Sequence, residues 1–116
     1  MRFFITAILL LASTLCSASQ RGLASWYGKR EQGKRTASGE RFDRMMYTCA
    51  SRTYPLGTLL VVKFPLKHTY VIVRVNDRGP WVKGRVLDLS EQAAQVLGLK
   101  PYGVGTVVIA PLRMTI

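Results

Sequence analysis

The stretch from residue 71 to residue 90, VIVRVNDRGPWVKGRVLDLS, constrains the fold of this chain more than any other segment. Val71, Val73 and Val75 recur at the period of two that is typical of a half-buried strand. By the same alternation, Asp77 should continue the valine face where the strand ends. The Asp-Arg-Gly-Pro sequence is a turn signal. We therefore expect an acid at a strand-to-turn corner, either as a functional carboxylate or as a turn residue that bonds its own backbone.

Short strands and one short helix are predicted elsewhere. Residues 58–64 form an almost continuous apolar run, and residues 22–27 and 106–110 read as two further strands. Ser90 is a suitable N-cap for a short helix, and Gly98 is a suitable C-terminal stop. Several short strands with turn residues about every ten positions are typical of a small β-barrel.

The N-terminal residues 1–18 have the pattern of a secretory signal peptide. Arg2 precedes an uncharged apolar run at residues 3–12, and small residues follow. This run is shorter than the roughly 20 apolar residues that a membrane span needs. Leu15, not a small residue, precedes Cys16, so we expect no lipid anchor there. We predict a signal peptide at 1–18, one domain at 19–116, and export across the inner membrane to the periplasm or cell envelope.

The chain is strongly basic, with 17 Lys and Arg against 6 Asp and Glu and a formal net charge of +11. Such a charge indicates a polyanionic neighbour, which is nucleic acid, an anionic membrane surface or an acidic polysaccharide. Because export separates the protein from nucleic acid, we expect no nucleic-acid partner. We expect a monomer in peripheral association with the membrane or the cell wall.

The ligand-type residues do not indicate a metal or cofactor site. Without Cys16, only Cys49 remains, and a lone cysteine is more typical of a small buried apolar residue than of a nucleophile. His68 is the only histidine, and its position at a turn favours a surface residue. Because no cluster has metal-ligand spacing, we expect no metal and no cofactor.

Five sequence blocks occur in order: GLASWYG at 22–28, TASGERFD at 36–43, PLGT at 55–58, VNDRGP at 75–80 and RVLDLS at 85–90. Together they resemble the rare lipoprotein A family of septal lytic transglycosylases, from residue 22 to about residue 109. The resemblance implies an all-β fold, a six-stranded double-psi β-barrel of the barwin and expansin type, with a glycan groove across its open face. It also implies endolytic cleavage of MurNAc-GlcNAc bonds in peptide-free peptidoglycan strands, which leaves 1,6-anhydroMurNAc ends.

The resemblance also implies an acidic pair at the site. The pair falls on Glu40 and Asp77. Asp77 would protonate the leaving oxygen and then take the proton of the muramyl 6-hydroxyl, while Glu40 would steer the sugar or stabilise positive charge. Asp88 matches an acid of the expansin and endoglucanase relatives and is a second candidate.

The family's histidine position holds Ser51 in this chain. A serine hydroxyl carries no charge near neutral pH, so we expect Ser51→His to raise activity. The departure favours an alternative function, a non-catalytic expansin-like module that grips peptidoglycan through Trp26, Tyr27 and Trp81. The first two can equally be core residues. Arg78 completes the expected substrate-binding set. A third interpretation, a basic secreted protein at membrane or nucleic-acid surfaces, depends on charge alone.

Overall fold

A computed structural model describes residues 19–113 of the chain. The six strands are β1 (Gln20–Tyr27), β2 (Thr48–Ala50), β3 (Leu59–Phe64), β4 (Thr69–Asp77), β5 (Arg85–Ser90) and β6 (Gly105–Pro111). One α-helix, α1 (Glu91–Leu97), follows β5, and two 3-10 turns span Pro65–Lys67 and Lys100–Tyr102. The predicted signal peptide, with Cys16, lies outside the described residues. Within them, no helix is both long and apolar enough to cross a membrane.

The strands form a closed barrel in the order β1, β5, β2, β4, β3, β6, and β6 pairs with β1. The pairs β1–β5 and β2–β4 are parallel. The other four pairs are antiparallel. The predicted six-stranded all-β barrel with one short helix is therefore confirmed.

The barrel interior is filled by alternate residues of the strands. Val71, Val73 and Val75 face the core, as the alternation predicts, and Leu87 and Leu89 meet them from β5. The helix packs against the barrel through three buried residues, Ala93, Ala94 and Leu97. Both predicted helix signals are confirmed, because the Ser90 side chain accepts a hydrogen bond from the Ala93 N–H and Gly98 ends the helix at a φ of 85°.

The end of β4 contradicts the prediction that Asp77 continues the valine face. Cys49 pairs with Val75, but the next residue of β2, Ala50, pairs with Asp77, so Asn76 is an extra residue in β4. Such a bulge changes the direction of the side chain that follows it. Asp77 therefore leaves the core side of the sheet and lies with Ala50 on the outer side.

Candidate active site

A small open cavity, which we call the carboxyl cavity, lies on the outer side of the barrel. Its volume is about 180 Å³, and its lining residues are Tyr27, Glu31, Ala50, Asp77, Arg78 and Asp88. Ala50 pairs with Asp77 on β4 and with Asp88 on β5, so the two acids flank it. Two strand spacings put their Cα atoms about 10 Å apart. The small side chain of Ala50 leaves the space between the two carboxyl groups open.

Asp88 is the acid whose protonated form the cavity favours. It is half-buried and stands opposite Ser25 on β1, whose hydroxyl donates a hydrogen bond to Asp88 Oδ1. Burial raises the pKa of Asp88 above its ordinary value, although the Ser25 bond and the nearby Arg85 oppose the increase. The charges of Glu31 and Asp77 add to it. A carboxyl group with a raised pKa is suited to donate a proton.

Asp77 is held by backbone hydrogen bonds. Its Oδ1 accepts one from the N–H of Ala37 and one from the N–H of Arg78, both at 2.9 Å. The bond from Arg78 is the local turn bond that an ordinary corner acid would make. The bond from Ala37 ties the loop before β2 to the end of β4. Since no described hydrogen bond involves Oδ2, Asp77 combines a structural role with a position on the cavity wall.

Glu40 does not line the carboxyl cavity with Asp77. It is exposed, and its Oε1 lies 2.6 Å from Nη1 of Arg74 in an ion pair. The hydrogen bond from Arg74 lowers the pKa of Glu40 below its ordinary value. Glu40 is therefore an ionised carboxylate beside the site and is unsuited to donate a proton.

Ser51 lies inside the turn that follows β2. It is only 1% exposed, and its hydroxyl oxygen accepts hydrogen bonds from the N–H groups of Thr53 and Tyr54 at 3.2 and 3.1 Å. It is not among the residues that line the carboxyl cavity. The expected gain from Ser51→His therefore finds no support in this geometry.

Arg78 and Trp81 follow the corner acid and differ in their surroundings. Arg78 lines the carboxyl cavity, but its Nη1 donates to the carbonyl oxygens of Ser51 and Tyr54 at 2.9 and 2.6 Å. This guanidinium holds the turn after β2 in place. Trp81 is 76% exposed and is not part of the cavity wall.

The adjacent aromatic residues of β1 point to opposite sides of the sheet. Tyr27 lines the carboxyl cavity, and its ring lies 4.5 Å from that of Phe42 between centroids. Burial raises the pKa of Tyr27, so the phenol stays neutral, and no described residue hydrogen-bonds its buried hydroxyl. Trp26 packs against the core, with Nζ of Lys100 5.5 Å from its ring centroid. The two rings therefore do not lie side by side on one face of the sheet, although both residues line one depression at the end of β1.

Glu31 is a cavity residue that the sequence reasoning missed. Its Oε2 accepts a hydrogen bond from the N–H of Gly28 at 3.0 Å, which folds the acid back toward the end of β1. The sequence does contain a signal for this position, because an acid three residues after the glycine that ends a strand can accept a hydrogen bond from the glycine N–H. The surrounding basic residues concealed it.

The ligand-type residues have ordinary environments. Cys49 is buried and free, and burial raises the pKa of its thiol to about 12. His68 is exposed at the turn before β4, as predicted. In residues 19–113, no group of three or more His, Cys, Asp or Glu side chains is arranged to hold a metal ion.

The sequence matches a family model described as lytic transglycolase over residues 19–109. The probable endolytic peptidoglycan transglycosylase RlpA of Synechocystis sp. is 49% identical over 88 residues, which cover 76% of this chain and 27% of that protein. The corresponding protein of Aquifex aeolicus is 52% identical over 89 residues, 77% of this chain and 39% of that one. The chain thus spans about a quarter to two-fifths of the length of these relatives.

Solved structures show the same architecture. Apo-expansin from Clavibacter michiganensis is 26% identical, with a TM-score of 0.65 over 84% of this chain and 52% of that chain. The Streptomyces papain inhibitor is 21% identical, with a TM-score of 0.66 over 82% of this chain and 94% of that chain, and this likeness concerns the fold. The closed barrel, the family model and the relatives agree, and the chain belongs to the RlpA lytic transglycolase family of double-psi β-barrel proteins.

Proposed function

We propose that this domain is an endolytic peptidoglycan transglycosylase that cleaves MurNAc-GlcNAc bonds of peptide-free strands in the cell envelope and works as a monomer. Relatives of 49% and 52% identity are named as probable endolytic peptidoglycan transglycosylases. The observation that carries the proposal is the placement of Asp77 and Asp88 on either side of Ala50 in one open cavity. Two carboxyl groups with different environments are the usual equipment for cleaving a glycosidic bond.

The two acids share the two proton transfers that the sequence analysis assigned to Asp77 alone. Protonated Asp88 donates its proton to the glycosidic oxygen, and the bond from that oxygen to the muramyl C1 breaks. The 6-hydroxyl oxygen of the same muramyl residue bonds to C1, and its proton passes to the Asp77 carboxylate. No water enters the product, and proton exchange with solvent restores both acids.

The cavity also supplies stabilisation for the positive charge that develops on the muramyl ring. The Asp77 carboxylate and Glu31 lie on the cavity wall, where a negative charge favours an oxocarbenium-like transition state. Tyr27 lines the same wall with an uncharged ring, so it adds no charge to the cavity. Glu40 adds a more distant negative charge that its partner Arg74 largely offsets.

The test measures anhydromuramyl ends released from peptide-free strands, by mass spectrometry. We expect Asp88→Asn and Asp77→Asn each to lower turnover by about a hundred- to ten-thousand-fold, because an amide cannot transfer the proton. Asp43→Asn is the matched control, since Asp43 is an exposed acid outside the cavity wall. Full activity in both cavity variants, or products with hydrolysed reducing ends, would contradict the mechanism.

A binding module is the second candidate function because Ser51 stands where the family resemblance implies a histidine, and because His68, the only histidine, lies on an exposed turn. Wild-type protein that retains peptide-free strands on a column and forms no anhydromuramyl ends would establish this alternative.

A further inference from the structure

A second, larger depression adjoins the carboxyl cavity, and we call it the basic hollow. Its volume is about 460 Å³, and its wall contains Trp26, Tyr27, Gly28, Lys29, Arg30, Glu31, Glu91 and Lys100. It shares Tyr27 and Glu31 with the carboxyl cavity. A ligand in the carboxyl cavity can therefore continue into the basic hollow without leaving the surface.

The turn after β1 fixes Glu31 on the wall that these two depressions share. The Glu31 N–H donates to the Gly28 carbonyl oxygen at 3.0 Å, and the Gly28 N–H donates to Glu31 Oε2 at 3.0 Å. This pair of hydrogen bonds holds the acid between the two depressions. Lys29 and Arg30 lie between these two residues in the chain and are exposed at the basic hollow.

Two of the other charges in the basic hollow, Glu91 and Lys100, are already paired, and Glu31 accepts the Gly28 N–H but forms no ion pair among the described residues. Glu91 accepts from Lys100 at 3.1 Å and lies 3.5 Å from Arg44. Among the described residues, neither Lys29 nor Arg30 forms an ion pair. The basic hollow therefore presents two exposed positive charges without an ion-pair partner next to the half-buried ring of Trp26, and one carboxylate, Glu31, that the Gly28 N–H holds.

We propose that the basic hollow binds the free lactyl carboxylate of a muramic acid residue adjacent to the cleaved bond, and that Lys29 and Arg30 determine this specificity. The proposal rests on the proposed function, because it concerns the same glycan strand. A muramic acid without a stem peptide carries a carboxylate on its lactyl group, whereas an attached peptide converts that group to a neutral amide. Glucosamine lacks the group altogether. Two mobile cations at the surface can distinguish these states by charge.

The experiment measures binding by calorimetry at fixed ionic strength with two probes. One is a peptide-free oligosaccharide of alternating glucosamine and muramic acid, and the other is the same oligosaccharide with its lactyl carboxylates converted to primary amides. We expect the wild type to bind the carboxylate form about tenfold more tightly, as two surface charge contacts allow. We expect Lys29→Gln with Arg30→Gln to remove this preference and to leave binding of the amide form unchanged.

Arg21→Gln with Lys63→Gln is the matched control. It also removes one lysine and one arginine. Arg21 on β1 and Lys63 on β3 both pair with Val108 of β6, near the start of β1. This position is about 20 Å along β1 from the basic hollow. The control should keep the full preference. Equal losses in both double variants would show unspecific attraction and overturn the proposal, as would equal affinity of the wild type for both probes.

These outcomes are separable from those for catalysis. A wild type that makes anhydromuramyl ends but binds both probes equally refutes the specificity and leaves the proposed function standing. A wild type that prefers the carboxylate form but makes no such ends refutes the transglycosylase activity and leaves the carboxylate site standing.

Discussion

Asp77 and Asp88 lie on either side of one alanine, but their surroundings differ. Asp77 accepts two backbone hydrogen bonds at Oδ1, from Ala37 and Arg78. Asp88 has one hydroxyl partner and is half-buried, and burial raises its pKa. Position in the sequence could identify both acids as candidates. Their division of roles depends on the bulge at Asn76 and on the cross-strand partner Ser25, which no local pattern shows.

The raised pKa of Asp88 predicts a pH-dependent cost to stability. Because the folded-state pKa lies above the unfolded value, the carboxyl contributes most to stability below about pH 4, and this contribution is lost as the pH rises through the folded pKa. Asp88→Asn cannot ionise and should keep the hydroxyl partner. We expect the free energy of unfolding of Asp88→Asn to increase relative to that of the wild type as the pH rises from about 4 toward neutrality. Urea unfolding at several pH values measures this, and parallel curves would refute it.

At the scale of elements, the long strands and the helix were predictable, and the turns that build the site were not. The valine alternation, the apolar run of β3 and the caps Ser90 and Gly98 are local signals, and the structure confirms them. Strand β2 has only three residues, which is too short for a periodic pattern. The turn after β2 depends on Arg78, whose guanidinium binds two carbonyl oxygens more than twenty positions away in the chain.

This turn should not accept a histidine at position 51. Ser51→His removes a hydroxyl that accepts two backbone N–H groups and places a larger ring in a site that is 1% exposed. We expect a loss of about 2–4 kcal/mol in the free energy of unfolding, measured in urea, and no gain in turnover. Ser51→Ala is the companion variant, with a smaller loss of about 1–2 kcal/mol because it leaves the same N–H groups without a partner but adds no bulk. Wild-type stability with increased turnover in Ser51→His would restore the original expectation.

At the scale of the whole molecule, the described residues form a closed barrel in which every strand pairs with two neighbours. Strand β6 lies between β1 and β3 and closes the sheet. The sequence pattern predicts several short strands, and the family resemblance implies six. Neither predicts their order, because the order joins segments that are far apart in the chain.

Removal of β6 should therefore abolish the folded state. We expect a chain that stops before Gly105 to show no cooperative urea transition by circular dichroism, because β1 and β3 would each lose a partner and the core would lose Val107 and Ile109. A chain that stops after Pro111 should unfold in a single transition. A cooperative transition in the shorter chain would show that closure is dispensable.

The parallel pairing of β1 with β5 also governs how the chain reaches its native state. Strand β1 is made first, yet its neighbours β5 and β6 belong to the last third of the described chain. No local hairpin can pair with the backbone of β1. Its N–H and C=O groups therefore stay unpaired until some sixty further residues, up to the start of β5, have been synthesised. Proteins dominated by contacts between residues that are far apart in the sequence fold in milliseconds to seconds. Gln20 and Arg21 are exposed and make the start of β1 polar. Polar and charged residues on an unpaired strand disfavour its pairing with other chains.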